Sequence, residues 1–356
     1  MTLKRGLFAL GILAILLTLI PLIAADYWWI RIFDFPHTQL TAFTFIVIAF
    51  YFFRFDIRWK HDYLFVSIML ACFVYQINKI VPYTSLYPYE VLNAEHEDAQ
   101  KHLSLFTSNV LQSNKERQPL IDELKSKDPD ILLLCEANAK WLNDLRPYTS
   151  KNYSYRKEIP LDNTYGMALY SKMPLIDPTV HYIIDKEIPS IHTKLILKTG
   201  DTIQIYAIHP TPPMPQHNPK SSDRDAEMMI ISHKSRQNKL PVIVMGDFND
   251  VAWSNTTALF KASSTLLDPR IGRGFYNTFS AKSALMKWPL DHIFISPEFR
   301  IRKMAMGADI NSDHYPSYAE LSFEPKGKNE QLPEPPSKRQ LKNVASQIED
   351  YRDQND

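Results

Sequence analysis

PVIVMGDFND, residues 241 to 250, is the stretch from which the fold is read. Pro241 to Met245 is short, apolar and β-branched, the texture of a strand buried on both faces. It ends in Asp247 and Asn249, which strand alternation projects to the same side. SSDRDAEMMIISHKS, just upstream, reads as a helix that Ser222 caps and Asp225 answers three residues later. Before it, LILKTGDTIQIYAIHP reads as a hairpin turning at Thr199 and Gly200.

The same texture continues outward. LSLFTSNV is a predicted strand, QPLIDELKSKD a helix with Leu120, Ile121 and Leu124 on one side, and DPDILLLCE a turn into a buried strand. DHIFIS and SYAELSF supply late strands. This alternation is an α/β pattern of sheets flanked by helices, running from about residue 91 to 325. The charged tail, 326–356, has no core-sized apolar face and reads as disordered, although Leu341, Val344, Ile348 and Tyr351 make a narrow helical seam suited to a partner.

Residues 1–90 differ in kind. GLFALGILAILLTLIPLIA, residues 6–24, is uncharged, follows Lys4 and Arg5, and precedes the interfacial pair Trp28 and Trp29. It reads as an anchor rather than a cleaved signal, because the run is long and LIAAD lacks a small-x-small site. Two further apolar runs, 38–53 and 63–81, flank the basic loop RFDIRWKHD. Three spans with Lys4, Arg5 and that loop inside put the rest of the chain on the outer face of a bacterial-type inner membrane. A two-span solution reverses the side, and burial in a soluble core is the competing reading of the second and third runs.

Composition excludes several functions. The 356 residues carry a formal net charge of +1, which gives no global pull toward nucleic acid or an anionic surface. Cys72 and Cys135 are the only cysteines, so neither a disulfide framework nor a CxxC zinc site is present. None of the 9 glycines is spaced as a Walker A loop or a dinucleotide fingerprint.

Functional side chains recur at the mouths of the apolar strands. Asn109 ends LSLFTSN, Glu136 ends DILLLCE, His209 ends IQIYAIH, Asp291 opens DHIFIS, and Asp313 with His314 precedes SYAELSF. Each alone has a plain structural reading as a turn cap, helix start or hydrogen-bond anchor. Together they offer hard oxygen ligands of the kind Mg²⁺ prefers and two imidazoles that titrate near neutrality. The absence of thiolate sites and of an HExxH motif argues against zinc.

In order, Asn109, Glu136, GMALYSKMP, AIHP, GDFND, LDHIFIS and SDHYP resemble the endonuclease/exonuclease/phosphatase superfamily, the deoxyribonuclease I-like fold, over about residues 101 to 324. The resemblance implies a four-layer sandwich of two mixed β-sheets flanked by helices, with the site at one end, here in a membrane-anchored bacterial member. It implies Mg²⁺, with Mn²⁺ as a substitute, held by Glu136 with Asn109 and Asp313. Asp247 would orient or deprotonate the attacking water, and Asn249 would hold a phosphate oxygen. Asp291 would fix His314 against the phosphate, while His209 stands where abasic-site endonucleases carry a tyrosine. No acidic residue lies two positions after Asn109, a further departure from the abasic-site enzymes.

Several neighbours are open to two readings. His292 should point away from the cleft by alternation. Arg224, at the helix start, could meet a phosphate or simply be solvated. The proline-stiffened loop PTPPMPQHNP could wall the cleft, and Trp253, Phe275, Tyr276 and Trp288 could stack on bases, dip into lipid or pack. The expected activity is a membrane-anchored phosphodiesterase, nuclease-like, with hydrolysis of lipid phosphoesters as the alternative. A non-catalytic scaffold or sensor is the competing class. The complete polar set speaks against it, because converging buried charges cost stability.

Overall fold

The computed structural model describes residues 2–23, 27–95, 97–214 and 220–355. Part of the loop after His209, residues 215–219, lies outside the described residues, as do the last residue of the first expected span and the two that follow it. The chain opens with α1 (Thr2–Leu19), a short α2 (Trp28–Arg31), α3 (His37–Phe52) and α4 (Lys60–Ile80). Among the described residues two helical stretches are long and apolar enough to cross a membrane, Leu3–Leu22 and Lys60–Tyr83. A third span arises only if Trp28–Asp34 and His37–Phe52, bent by 67°, act as one. The helices bury Ala14, Val47, Tyr51, Phe65 and Met69 among themselves. Gln76 Nε2 donates to Thr18 Oγ1 (2.6 Å) and Thr44 Oγ1 (3.1 Å), joining α1, α3 and α4 through one buried amide.

The larger part of the chain follows as β1 (His102–Asn109), α5 (Gln118–Lys127), β2 (Ile131–Cys135), α6 (Ala139–Asn152), β3 (Tyr155–Ile159), β4 (Met167–Ser171) and β5 (Leu175–His181). It continues through β6 (Ser190–Ile196), β7 (Thr202–Ile208), α7 (Ser222–Gln237), β8 (Val242–Asp247), α8 (Asn255–Ser264), β9 (Asp291–Ile295), β10 (Phe299–Met306), β11 (Ser317–Phe323) and α9 (Lys338–Asn355). One sheet has the order β10-β11-β1-β2-β4-β3 and the other β5-β6-β7-β8-β9. Each contains one parallel pair, β1 with β2 and β7 with β8, and is otherwise antiparallel. This is the expected sandwich of two mixed sheets with helices outside.

Strand alternation explains why the central runs are apolar throughout. Leu105, Leu133, Ile205, Ile243 and Ile293 point between the sheets. Their neighbours Phe106, Leu132 and Leu134 pack with Leu120 of α5 and Trp141 of α6, while Tyr206, Val244 and Phe294 pack with Met228 of α7 and Phe260 of α8. Both faces of these central strands are therefore dry and only their ends reach water, whereas β3 and β5 are partly exposed along their length.

The tail corrects its expectation. It folds as α9, whose Val344 is buried in the α7–α8 core with Ile348 packed beside it, and Tyr351 donates its hydroxyl to Ile184 O. The partner for the seam is the chain's own second layer. The start of α7 differs as well: Ser221, not Ser222, holds the N-cap position without a capping bond from its side chain, and Asp225 is engaged by arginines.

Candidate active site

The register brings the strand mouths together. Asn109 pairs with Cys135, which precedes Glu136; Ile208, before His209, pairs with Gly246; and Asp247 lies opposite Asp291. Gly246 is required here: its φ is +145° and a Cβ would stand 1.9 Å from Ile208 O.

Asp247, 1% exposed, is the hub. Its Oδ2 accepts from Asn109 Nδ2 at 3.1 Å and lies 3.7 Å from both His209 Nε2 and His314 Nε2. Its Oδ1 accepts from Asn249 N at 3.0 Å. The strand stops at Asp247, so Asn249 reaches the cleft by an Asx turn with φ 51°, not by strand alternation. The Asn249 amide donates to Pro210 O at 2.9 Å, beside His209.

His314 Nδ1 donates to Asp291 Oδ2 at 2.8 Å, and its ring packs against Phe279 with centroids 5.0 Å apart. Burial alone would discharge the imidazole, yet Asp291 and Asp247 outweigh it and push His314 up to about 10. Burial likewise works against the Asp247 charge, but His314, His209 and Asn109 hold it below the usual carboxylate range. The His314 ring thus stands between Asp247, whose charge is favoured, and Asp291, which burial and the neighbouring Asp247 push up.

Glu136 lies across from this group, with its backbone in the left-handed region at φ 60°. Its carboxylate accepts from Asn109 Nδ2 (2.8 Å) and Gln112 N (3.1 Å), and no basic side chain pairs with it among the described residues. Ser312 Oγ donates to Asn109 O (2.8 Å), so the neighbouring Asp313 is tied to the Asn109 strand end. Asn109 turns its Nδ2 to Glu136 and Asp247 while its Oδ1 accepts from Leu111 N at 3.0 Å. The hard ligands that fit a divalent cation here are therefore carboxylates, Glu136 being half-buried and served only by neutral donors. Asp247, Asp291 and His314 also offer ligand atoms within 4.8 Å of one another, but a proton on His314 opposes ligation there.

Arg224 is not a phosphate contact. It is 1% exposed, with Nε and Nη2 on Asp225 Oδ1 (3.0 and 2.8 Å) and Nη1 on Asn249 O (2.9 Å). His292 faces away as alternation requires: Nε2 meets Asp250 O at 2.8 Å and Nδ1 meets Arg270 Nη2 at 2.7 Å, with Arg270 paired to Asp268. Trp253 is buried and Trp288 packs edge-on to Phe35, so both are packing residues. The sequence reading missed Gln112, whose side chain accepts from Thr164 N (2.8 Å) while its backbone serves Glu136, and Tyr165, 5.5 Å from the His209 ring. Gln112 lies three residues past β1, and Tyr165, though only two residues before β4, is aromatic where charged and amide groups were sought.

Solved structures share this architecture at low identity. TDP2 from D. rerio, complexed with a single strand DNA product, aligns with TM-score 0.51 and 16% identity over 63% of this chain and 100% of that one. An endonuclease/exonuclease/phosphatase from Beutenbergia cavernae aligns at 0.50 and 14%, covering 63% and 72%. A Bacteroides vulgatus endonuclease/exonuclease/phosphatase aligns at 0.50 and 18%, covering 63% and 99%. No curated protein matches the sequence. The model of the Endonuclease/Exonuclease/phosphatase family matches residues 106–314, a span that opens within β1 and closes on His314. With more than half of the chain inside that match and every strand-mouth residue within it, the chain belongs to the endonuclease/exonuclease/phosphatase family.

Proposed function

We propose that the chain is a membrane-anchored, Mg²⁺-dependent phosphodiesterase, nuclease-like, acting on the extracytoplasmic side. The observation that carries the reaction class is the buried Asp291–His314–Asp247 series linked through Asn109 to Glu136. Asp247, kept ionised, orients the attacking water and takes its proton. The His314 imidazolium, fixed by Asp291, donates to a phosphate oxygen as charge develops there. Asn249 presents its amide to a second oxygen, and His209, whose Nδ1 has no hydrogen-bond partner among the described residues, is available to a third. Glu136, Asn109 and Asp313 would hold the Mg²⁺, which when bound neutralises phosphate charge and stabilises the leaving oxygen.

A second substrate reading has its own support. Gln39 of α3 donates Nε2 to Leu285 O at 2.7 Å, so a loop with Leu285 80% and Met286 45% exposed sits beside the helical bundle. That favours a lipid phosphoester as the alternative to nucleic acid.

The test uses the full chain in nanodiscs with Mg²⁺, Mn²⁺ and then EDTA, against a bis-aryl phosphodiester, plasmid DNA and phospholipid. Asp247→Asn and His314→Ala should each lower kcat by roughly 10²- to 10⁴-fold, and EDTA should abolish turnover. A wild type inert toward all three substrates, or an unimpaired Asp247→Asn, overturns the reading.

A further inference from the structure

The stretch immediately after Asn249 is gripped by residues that precede the catalytic domain. Trp253 Nε1 donates to Asp34 O at 2.8 Å, and the Tyr83 hydroxyl donates to Ala252 O at 2.7 Å. Lys79 Nζ donates to Trp253 O at 3.2 Å. Arg31 of α2 reaches furthest: its Nη2 donates to Asp225 Oδ2 at 2.9 Å and to Thr256 Oγ1 at 2.5 Å.

Asp225 is shared by two arginines. Its Oδ2 takes Arg31, its Oδ1 takes Arg224, and Arg224 Nη1 in turn donates to Asn249 O. Arg31, Asp225 and Arg224 are 8%, 4% and 1% exposed, so water replaces none of these bonds. Removing Arg31 leaves the Asp225 carboxylate under-neutralised in a dry site, which draws Arg224 toward it and away from Asn249 O. Asn249 sits at φ 51°, a conformation that an asparagine keeps only while its surroundings hold it.

We propose that Arg31 is a positioning residue for the catalytic turn, so that the juxtamembrane segment forms part of the active-site scaffold and does more than tether it. The proposal rests on the roles given above to Asp247 and Asn249. Nη2 serves Asp225 and Thr256 while Nη1 lies 3.6 Å from Asp34 Oδ2, a spread over two nitrogens that a single lysine ammonium does not reproduce.

Arg31→Gly and Arg31→Lys in the full chain, in nanodiscs, test this. Arg31→Gly should lower kcat roughly ten- to a hundredfold with KM little changed. Millimolar guanidinium chloride should restore part of that loss in Arg31→Gly and none in Asp247→Asn. Hydrogen exchange over residues 248–257 should rise while that of β1 and β2 stays constant. Should Arg31→Gly fail to fold, Arg31→Lys carries the same comparison, with a smaller loss and no rescue. Wild-type kcat together with wild-type exchange at 248–257 overturns the proposal. If Asp247→Asn retains full activity the catalytic reading fails instead, and the exchange comparison still decides whether Arg31 holds the turn.

Discussion

At the scale of single residues, the proposed chemistry depends on a proton kept where burial would remove it. His314 is raised from 6.5 to about 10 because Asp291 and Asp247 outweigh desolvation. A histidine whose folded value lies above its unfolded one contributes stability that is fully present below about 6.5. That contribution is lost as pH rises through about 10. The imidazolium that the proposed phosphate contact requires is lost over the same alkaline window. Asp291→Asn removes the carboxylate 2.8 Å from Nδ1 while keeping its shape. The alkaline limb of the pH–rate profile should therefore move to lower pH, and kcat at neutral pH should fall on the order of 10²-fold or more. A limb at unchanged pH would mean that Asp291 does not set the His314 charge.

At the scale of elements, the legible parts were those whose physics is local. β8 and β2 read as strands because both of their faces are dry, and their polar ends stood out because nothing else in them is polar. Asn109, Asp247, Asp291 and His314 could thus be found from pattern. Arg31 could not: its partner Asp225 lies 194 residues away, and no local pattern marks a salt bridge of that span. The α9 helix was misread because one buried valine with two weaker neighbours looks too thin to order a charged segment. It suffices because α7 and α8 already present an apolar groove to Val344 and Ile348. A chain ending at residue 336 should lose on the order of 1–3 kcal/mol from the uncovered groove. Among the described residues, Val344 and Ile348 pack in the α7–α8 core and Tyr351 bonds Ile184 O, so kcat/KM should be retained. Thermal unfolding and steady-state rates of the truncated protein check both halves; a collapse of activity with unchanged melting would contradict them.

At the scale of the whole molecule, the helical bundle constrains its own topology. Lys4 near the start of α1 pairs with Asp62 near the start of α4, while Thr18 near the end of α1 bonds Gln76 near the end of α4. These two helices therefore run in the same direction, and α3 must return the chain between them. α3 has 16 residues, about 24 Å at 1.5 Å per residue, somewhat short of the hydrocarbon core. In a three-pass path its bend into Trp28–Asp34 and local thinning of the bilayer would cover the difference. A three-pass path puts Lys4, Arg5, Arg54, Arg58 and Lys60 at one end and Arg31, Lys79 and Tyr83, with the domain they contact, at the other. The basic end should be cytoplasmic. Ile57 and Leu285 are 75% and 80% exposed at opposite ends, whereas Cys72 and Cys135 are buried. With both native cysteines replaced by alanine, a membrane-impermeant maleimide applied to intact spheroplasts should label Leu285→Cys and leave Ile57→Cys unlabelled until the membrane is permeabilised. The reverse pattern would put the catalytic domain inside the cell, and labelling of both without permeabilisation would remove the bundle from the membrane.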